Sequence, residues 1–270
     1  MEAFGLGIFM VSACVFGVLL FHPDSYLARY DVSVRNMLMG IAMGSTAIAI
    51  FKSPWGKRSG AHINPVVTAT FYRLGKISGI DSVFYALSQF AGGVLGVLIA
   101  WLFLGDRLGA NEVNFVATVP GMWGIAAAFA GEFVIAFFMM TMVLNVSNHR
   151  TLNRFTPWLA GLLVAIYIAT ESPVSGMSMN PARTLGSAVV GDTWTGWWIY
   201  FTAPLMAMLT AAEAFVRTKG LKAVLCAKLD HGGLARCIFN CRFGEMETAE
   251  EDRIEVTRPA MRIKEVKGLF

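Results

Sequence analysis

Charged residues are scarce in this chain. Its 270 residues include only 22 Lys and Arg and 18 Asp and Glu, or 15%, whereas folded soluble domains carry about 25%. At the same time, 56% of the sequence is hydrophobic. A soluble globule of this length cannot hide that much apolar surface, so the composition excludes a soluble fold and predicts a membrane protein.

The few charges are also unevenly distributed. Residues 218–270 contain 10 Lys or Arg and 8 Asp or Glu, which leaves 12 and 10 for the first 217 positions. We therefore expect a membrane domain over 1–217 and a charged tail over 218–270. The basic residues lie between apolar runs and are not interleaved with aromatic residues, which argues against a nucleic-acid partner.

Cysteine and histidine are scarce as well, with four of each. Cys226, His231, Cys237 and Cys241 lie in the tail and offer four potential metal ligands, but they contain no Cys-x-x-Cys pair. We therefore expect free thiols on the reducing side of the membrane and no metal site. The histidines are dispersed, and no Ser/His/Asp arrangement lies within the apolar runs. We predict neither an enzyme nor a cofactor.

Long apolar runs are abundant instead. About 20 helical residues, each rising 1.5 Å, cross a hydrocarbon core of roughly 30 Å. Six runs are long enough, and only the fourth is interrupted, by Glu132. The runs are Ala3–Phe21, Asn36–Phe51, Ser82–Leu104, Val113–Ser147, Phe155–Thr170 and Thr193–Ala212.

The distribution of Lys and Arg predicts the orientation. Five of them follow the second run, Arg150 and Arg154 follow the fourth, and ten lie in the tail, whereas the three intervening loops contain four in all. By the positive-inside rule, the three richer segments face the cytoplasm. With six spans, both termini then lie inside. We expect a multi-pass protein of the plasma membrane.

Two shorter segments repeat a motif. Gly60–Tyr72 and Gly176–Val190 are mildly apolar and too short to cross the membrane. Their starts read Ser-Gly-Ala-His-Ile-Asn-Pro-Val (59–66) and Ser-Gly-Met-Ser-Met-Asn-Pro-Ala (175–182). Each half of the chain, about 1–105 and 113–217, thus has three spans and one half-span. Because three is odd, the halves enter the membrane from opposite faces and form an inverted repeat.

The Asn-Pro pairs predict the starts of two short helices. Asn is a preferred N-cap and Pro is favoured at the first helical position, so Asn64 and Asn180 should cap helices beginning at Pro65 and Pro181. Because these helices enter the membrane from opposite faces, they would meet near its midplane with their positive N-terminal ends facing each other. This arrangement repels cations and protons. If each amide oxygen accepts the cap bond, both amide N–H groups remain free to bind a solute oxygen.

The two motifs resemble the signature loops of the major intrinsic proteins, the aquaporins and glycerol facilitators. The resemblance covers roughly residues 1–217. It implies an all-α membrane fold of six transmembrane helices and two re-entrant half-helices, assembled as a homotetramer with one pore per protomer. The residues implied for the central constriction are Asn64, Pro65, Val66, Asn180, Pro181 and Ala182.

The resemblance also assigns supporting residues. Arg183 matches the arginine of the family's outer constriction, and Glu2 and Glu132 match its buried acids, for which we expect a structural role. His62 matches a position that lines the pore or braces the first loop. The pore wall should also carry a ladder of backbone carbonyls. These belong to Gly60, Ala61 and His62 and to Gly176, Met177 and Ser178.

The selectivity filter departs from both subfamilies. By counting from the motifs, it consists of Gly44, Ile168, Met177 and Arg183, with Met43 in place of Gly44 if residues 53–55 hide an insertion. This set is less polar than a strict water filter, while Thr184 stands where glycerol facilitators usually have Asp. We predict a passive channel for water and small uncharged solutes. The alternative is a coupled secondary transporter with Glu2, Glu132 or Glu171 as the proton carrier.

Overall fold

The structure is a computed structural model, and it describes residues 1–231 and 237–244. Within these residues the chain is helical and contains no β-strand, as the sequence predicts. The α-helices are α1 (Glu2–Phe21), α2 (Val32–Lys52), α3 (Pro54–Ser59), α4 (Pro65–Arg73), α5 (Gly79–Leu104), α6 (Gly124–Ser147), α7 (Thr156–Ser175), α8 (Pro181–Gly191) and α9 (Ile199–Lys219).

Six of these helices are long and apolar enough to span a membrane, namely α1, α2, α5, α6, α7 and α9. The predicted spans are therefore confirmed, although some bounds differ. The fourth helix begins at Gly124 rather than Val113, because residues 113–123 form a loop that contains Pro120. In this loop Gly121 N donates to the carbonyl of Val174, 2.8 Å away.

The two halves pack in matching ways. In the first half α1 packs along α5, and in the second α6 packs along α9, while α2 and α7 meet across the repeat. The half-helices α4 and α8 lie between them: α4 contacts α5 and α9, and α8 contacts the same two helices. Each half therefore supplies three long helices and one half-helix, which confirms the predicted repeat.

Small residues allow the helices to approach closely. A Cβ at Gly92 on α5 would lie 2.2 Å from the carbonyl oxygen of Ala3, and one at Gly96 would lie 2.6 Å from that of Gly7. Glycines at such contacts let helix backbones meet where lipid offers no hydrophobic driving force between helices. This packing fixes the positions of the half-helices and of the loops before them.

The ends of the bundle differ. One end, which we call the tail end, carries the tail segment, defined as residues 221–231 and 237–244. The tail segment is held to the bundle by the bond from Leu225 N to Asn148 Oδ1, 2.6 Å, and by the bond from Asn240 N to the carbonyl of Lys76, 3.0 Å. The opposite end, which we call the loop end, carries residues 105–123. Residues 232–236 and 245–270 of the predicted tail lie outside the described residues.

Candidate functional site

Two loops with the same backbone pattern lead into the half-helices. In the first loop, residues 60–64, the φ angles of Ala61 and Ile63 are +51° and +41°; in the second, residues 176–180, those of Met177 and Met179 are +47° and +54°. A side chain disfavours this left-handed region by about 1–2 kcal/mol per residue. Such backbone persists only where surrounding contacts hold it in place.

Two buried glutamates provide those contacts. The Glu2 carboxylate accepts bonds from Ser59 Oγ at 2.7 Å and Ile63 N at 2.6 Å. The Glu132 carboxylate accepts bonds from Ser175 Oγ, Ser178 N and Met179 N, each at 2.7 Å. Each acid therefore holds its loop by a serine hydroxyl and by backbone amides, one for Glu2 and two for Glu132. This geometry agrees with the structural role predicted for both acids.

A second brace joins each loop to the last long helix of its half. Tyr85 on α5 donates its hydroxyl to the carbonyl of Ser59 at 2.7 Å, and Tyr200 on α9 donates to that of Ser175 at 2.5 Å. Neither tyrosine is among the site residues predicted from the sequence. Their signal is a tyrosine 26 residues after the first serine and 25 after the second.

His62 both braces its loop and faces the lumen. Its Nδ1 lies 3.0 Å from Thr68 Oγ1, and its Nε2 lies 2.9 Å from the carbonyl oxygen of Ala227, so Nε2 carries the proton and donates. The equivalent pair in the second half is Ser178 and Thr184, whose hydroxyl oxygens are 2.7 Å apart. The geometry is compatible with both roles that the sequence left open for His62, pore lining and loop bracing.

The two asparagines cap the half-helices and bind each other's loops. Asn64 Oδ1 accepts from Val66 N at 2.9 Å, and Asn180 Oδ1 accepts from Ala182 N at 3.0 Å, which confirms the predicted N-caps. In addition, Asn64 Nδ2 donates to the carbonyl of Met179 at 2.7 Å.

The reciprocal bond runs from Asn180 Nδ2 to the carbonyl of Ile63 at 2.8 Å. The expectation that both N–H groups of each amide stay free is therefore wrong. One N–H of each amide ties the two halves together, because the loops are close enough to supply carbonyl acceptors, and one is left for the lumen. The loops are thus locked to each other at the point where α4 and α8 meet.

A cavity of about 370 Å³ runs along the bundle past these amides. It extends from Phe51 and Leu229 at the tail end to Glu112 and Val113 at the loop end. One side is lined by apolar residues of the long helices, among them Met139, Val143 and Val164. The other side is lined by polar and backbone groups of the two loops, including His62, Asn64, Gly176, Met177, Ser178, Asn180 and Arg183.

Arg183 lies in the first turn of α8, towards the loop end. Its Nη1 donates to the carbonyl of Val116 at 2.8 Å, and its side chain lines the cavity. Asn114, Phe115 and Val116 all have positive φ angles, of 43°, 50° and 50°, which is rare without glycine. This backbone turns the Val116 carbonyl towards the guanidinium, and the bond fixes the orientation of the arginine at the cavity wall.

Residues 2–215 match a family model described as Major intrinsic protein. The chain belongs to the major intrinsic protein family. Together with the six apolar helices, this membership makes it a multi-pass membrane protein.

Curated relatives of this major intrinsic protein include two plant proteins. It is 36% identical over 160 residues to "Aquaporin NIP1-2" of Oryza sativa subsp. japonica, covering 58% of this chain and 52% of that protein. It is 33% identical over 162 residues to "Nodulin-26" of Glycine max, covering 59% and 58%. The chain thus spans a little over half the length of these relatives.

A solved structure has the same fold. The aquaglyceroporin from Plasmodium falciparum superposes with a TM-score of 0.64, covering 79% of this chain and 92% of that one, at 18% sequence identity. At that identity the likeness establishes the fold alone. It agrees with the arrangement of six long helices and two half-helices.

One predicted filter position is corrected by the packing of this major intrinsic protein. Gly44 does not line the cavity, since a Cβ there would lie 2.5 Å from the carbonyl oxygen of Gly161 on α7. Gly40 approaches the carbonyl oxygen of Ala165 in the same way. Both glycines therefore serve the contact between α2 and α7.

The register of this contact shows which α2 residues lie level with Ile168. Residue 40 of α2 faces residue 165 of α7, and residue 44 faces residue 161, so the two helices run antiparallel. Ile168 of α7 is therefore level with about residue 37 of α2. The nearest α2 side chains that line the cavity are Asn36 and Met39. Met43, the alternative from the sequence, also lines the cavity, but one turn nearer the tail end.

Other predicted residues stand behind the wall. Val66 and Ala182 are buried at 3% and 0% exposure and, like Pro65 and Pro181, are not among the residues that line the cavity.

In the predicted carbonyl ladder, the Gly60 carbonyl oxygen already accepts a hydrogen bond from Leu229 N at 3.3 Å. The tail segment therefore reaches the cavity mouth, which no pattern in the sequence predicts.

Proposed function

We propose that this protein is a passive membrane channel for water and small uncharged solutes of the glycerol type. The observation that carries the proposal is the cavity along the bundle, with one amide N–H of Asn64 and one of Asn180 left over where the two half-helices meet. A fixed donor pair opposite an apolar wall binds one solute oxygen at a time. A lumen lined in this way suits small neutral molecules that pass in single file.

Exclusion of ions follows from the same elements. Helices α4 and α8 begin at Pro65 and Pro181 and point their N-termini at each other. Each N-terminus carries about half a positive charge, and the Arg183 guanidinium adds a whole one towards the loop end. The two helix N-termini have no compensating carboxylate beside them in the cavity, since neither Glu2 nor Glu132 lines it, and the lining acid Glu112 lies at the loop end.

We further propose that Ile168, Met177 and Arg183 form the selectivity filter, with Asn36 or Met39 of α2 in the place first assigned to Gly44. One guanidinium fork and several apolar side chains suit a solute that has a hydrocarbon face as well as hydroxyl groups. This composition supports permeation by glycerol-like solutes as well as by water.

A coupled secondary transporter finds no support in the geometry. A proton carrier must reach the solute pathway, and Glu2, Glu132 and Glu171 are all absent from the residues that line the cavity. Glu171 instead lies next to the second loop, with Oε2 2.8 Å from Ser175 Oγ. Carriers bonded into the loops cannot alternate between two faces of the membrane without unfolding them.

We propose that the tail end faces the cytoplasm and that the channel domain ends near residue 217. The basic segments predicted to be cytoplasmic meet at the tail end: Lys52 lies 3.3 Å from Asp230, and Lys219 donates to Asn145 at 2.6 Å. The family resemblance supports a homotetramer in the plasma membrane. Cross-linking in native membranes and thiol labelling from either side test these assignments.

The proposed function is tested by osmotic shrinkage of proteoliposomes in a stopped-flow instrument. We expect faster shrinkage than for empty liposomes in an impermeant osmolyte, followed by re-swelling when glycerol is the osmolyte. Liposomes that contain a denatured sample of the same protein serve as the control. Water and glycerol permeabilities that both equal those of empty liposomes would contradict the proposal.

Removal of the positive barrier should admit cations. A unit charge 4 Å from a passing cation contributes about 4 kcal/mol at an effective dielectric constant near 20. We therefore expect Arg183→Ala to raise cation and proton flux by roughly a hundredfold or more, since 1.4 kcal/mol corresponds to a factor of ten. Asn180→Asp, which places an anion at the meeting point, should raise it in the same direction. A pH-sensitive dye inside proteoliposomes measures the proton flux.

The matched control is Arg107→Ala, which removes an exposed arginine at the same end of the bundle. Its proton and cation flux should equal that of the wild type. Equal fluxes in wild type, Arg183→Ala and Asn180→Asp, with water permeability retained in each, would count against the proposed barrier.

A further inference from the structure

The tail segment brings four potential metal ligands together next to the cavity mouth. They are Cys226, His231, Cys237 and Cys241, and their ligand atoms all lie within 4.8 Å of one another. All three cysteines are free thiols. This convergence is not apparent in the sequence, where the four residues are spread over 16 positions without a Cys-x-x-Cys pair.

The distances suit a tetrahedral zinc ion. With bonds of about 2.3 Å to sulfur and about 2.0 Å to nitrogen, a tetrahedron has edges of roughly 3.8 Å between sulfurs and 3.5 Å between sulfur and nitrogen. In the structure Cys226 Sγ is 3.5 Å from Cys237 Sγ, and Cys241 Sγ is 3.3 Å from His231 Nε2. Small rotations of the side chains would bring the widest separation, at most 4.8 Å, to the tetrahedral edge.

The backbone around the cysteines is also arranged for thiolates. Each sulfur has a backbone N–H bond from the residue two positions later: Lys228 for Cys226, Phe239 for Cys237 and Phe243 for Cys241. Phe243 N lies 3.4 Å from Cys241 Sγ. Hydrogen bonds to ligating atoms orient them and stabilise their negative charge.

The histidine is held in an orientation that suits a ligand. The His231 ring stacks on Phe243, with the ring centroids 4.2 Å apart and the planes within 9° of parallel. This contact directs Nε2 towards Cys241. Three cysteines and one histidine with no open position form a ligand set typical of structural zinc sites.

We propose that Cys226, His231, Cys237 and Cys241 bind one zinc ion, which fixes the tail segment over the tail-end mouth of the cavity. The residues between the first two ligands make the contacts with the mouth. The Ala227 carbonyl accepts from His62 Nε2 at 2.9 Å, Leu229 lines the cavity, and Asp230 lies 3.3 Å from Lys52. The second pair of ligands flanks Phe239, whose ring stacks against His62 at 5.6 Å.

The ion would therefore join the two parts of the tail segment, residues 226–231 and 237–241, that contact the first loop. Thiolates, being soft ligands, favour zinc over calcium or magnesium. The site does not depend on the proposed channel function, since metal content and water permeability are measured separately. A protein that contains zinc but shows no water flux would support the zinc site and contradict only the proposed channel function.

Zinc content of the full chain tests the proposal. The protein, purified without a polyhistidine tag and with its thiols reduced, should retain about one zinc per chain by elemental mass spectrometry after gel filtration. Cys237→Ser should lose most of it, whereas Cys14→Ser, which removes a thiol buried in α1, should keep it. Cobalt substitution should give the visible bands of a tetrahedral thiolate site in the wild type and Cys14→Ser only.

A second comparison keeps the test valid if Cys237→Ser fails to fold. His231→Ala should weaken zinc retention, and His231→Cys should restore it by supplying a fourth thiolate. Removal of zinc with a chelator should also speed maleimide labelling of Cys226, as the tail segment is released. Absence of zinc from the reduced wild type, a Cys226–Cys237 disulfide in freshly isolated protein, or equal zinc in wild type, Cys237→Ser and His231→Ala would overturn the proposal.

Discussion

Replacement of Glu132 by alanine should abolish water permeability. The carboxylate accepts three bonds of 2.7 Å, two of them from the backbone amides of Ser178 and Met179, in a place that is fully buried. A buried donor left without a partner costs about 1–3 kcal/mol, so the two amides alone lose about 2–6 kcal/mol. That is a large part of the free energy of unfolding of a typical domain, about 5–15 kcal/mol. The second loop should therefore leave its left-handed conformation and fill the cavity.

Osmotic shrinkage of proteoliposomes measures the effect, and a graded variant sharpens it. A glutamine has one oxygen in place of two, so Glu132→Gln should keep the bond to one backbone N–H of the loop and place its own amide N–H groups against the other. We expect permeability between wild type and Glu132→Ala, and a lower temperature of unfolding in detergent. Glu213→Ala, which removes an exposed acid paired with Arg217, should behave as wild type. Wild-type permeability in a folded Glu132→Ala protein would refute the bracing role.

The sequence predicts the features that depend on neighbouring residues. An Asn followed by Pro determines a helix start through one short bond, so the caps at Asn64 and Asn180 could be predicted without knowledge of the fold. The duplicated motif predicts the inverted repeat, since chain direction and an odd number of spans allow no other arrangement. Charge scarcity predicts six spans, although their ends shift where a loop such as residues 113–123 is itself apolar.

The features that the sequence does not predict arise from contacts between distant segments. The bonds from Asn64 to the Met179 carbonyl and from Asn180 to the Ile63 carbonyl depend on how closely two loops approach. Gly44 was misplaced because counting along one helix cannot reveal that this residue faces α7. That assignment requires the register between α2 and α7, which is set by the contact of Gly44 with Gly161.

The tail shows the same limit. Its four metal-ligating side chains follow no familiar spacing, and their convergence depends on the bundle beneath them. Leu229 N binds the Gly60 carbonyl, and Asn240 N binds that of Lys76, so each half of the cluster is placed by a contact with the helical bundle. A ligand set assembled on another domain's surface leaves no local pattern in the sequence.

Replacement of Gly93 by valine should destabilise the whole bundle. Gly93 lies on α5, where a Cβ would be 2.4 Å from the carbonyl oxygen of Ala182 at the start of α8. The contact is reciprocal, since a Cβ at Gly186 on α8 would lie 2.6 Å from the Gly93 backbone. Both obstacles are backbone atoms, so no side chain can rotate away and α8 itself must move.

The balance of energies favours loss of stability. A substitution that replaces glycine in a helix gains up to about 1 kcal/mol of helix propensity, whereas overpacking of a tight interior costs about 1–3 kcal/mol and more where backbone must shift. We expect Gly93→Ala to lower the temperature of unfolding and Gly93→Val to prevent recovery of folded protein. Because α8 begins with Asn180 and carries Arg183, folded Gly93→Ala should also pass less water.

A valine on the lipid-facing side of the same helix is the matched control. Ala91→Val adds side-chain volume at an exposed position of α5, two residues from Gly93, and should leave unfolding temperature and permeability unchanged. If Gly93→Val matched Ala91→Val in both measurements, the close approach of α5 and α8 would be refuted. If Gly93→Val lowered permeability alone, α5 and α8 would separate without unfolding of the bundle. The position of Arg183 would then depend on this contact more than on the rest of the bundle.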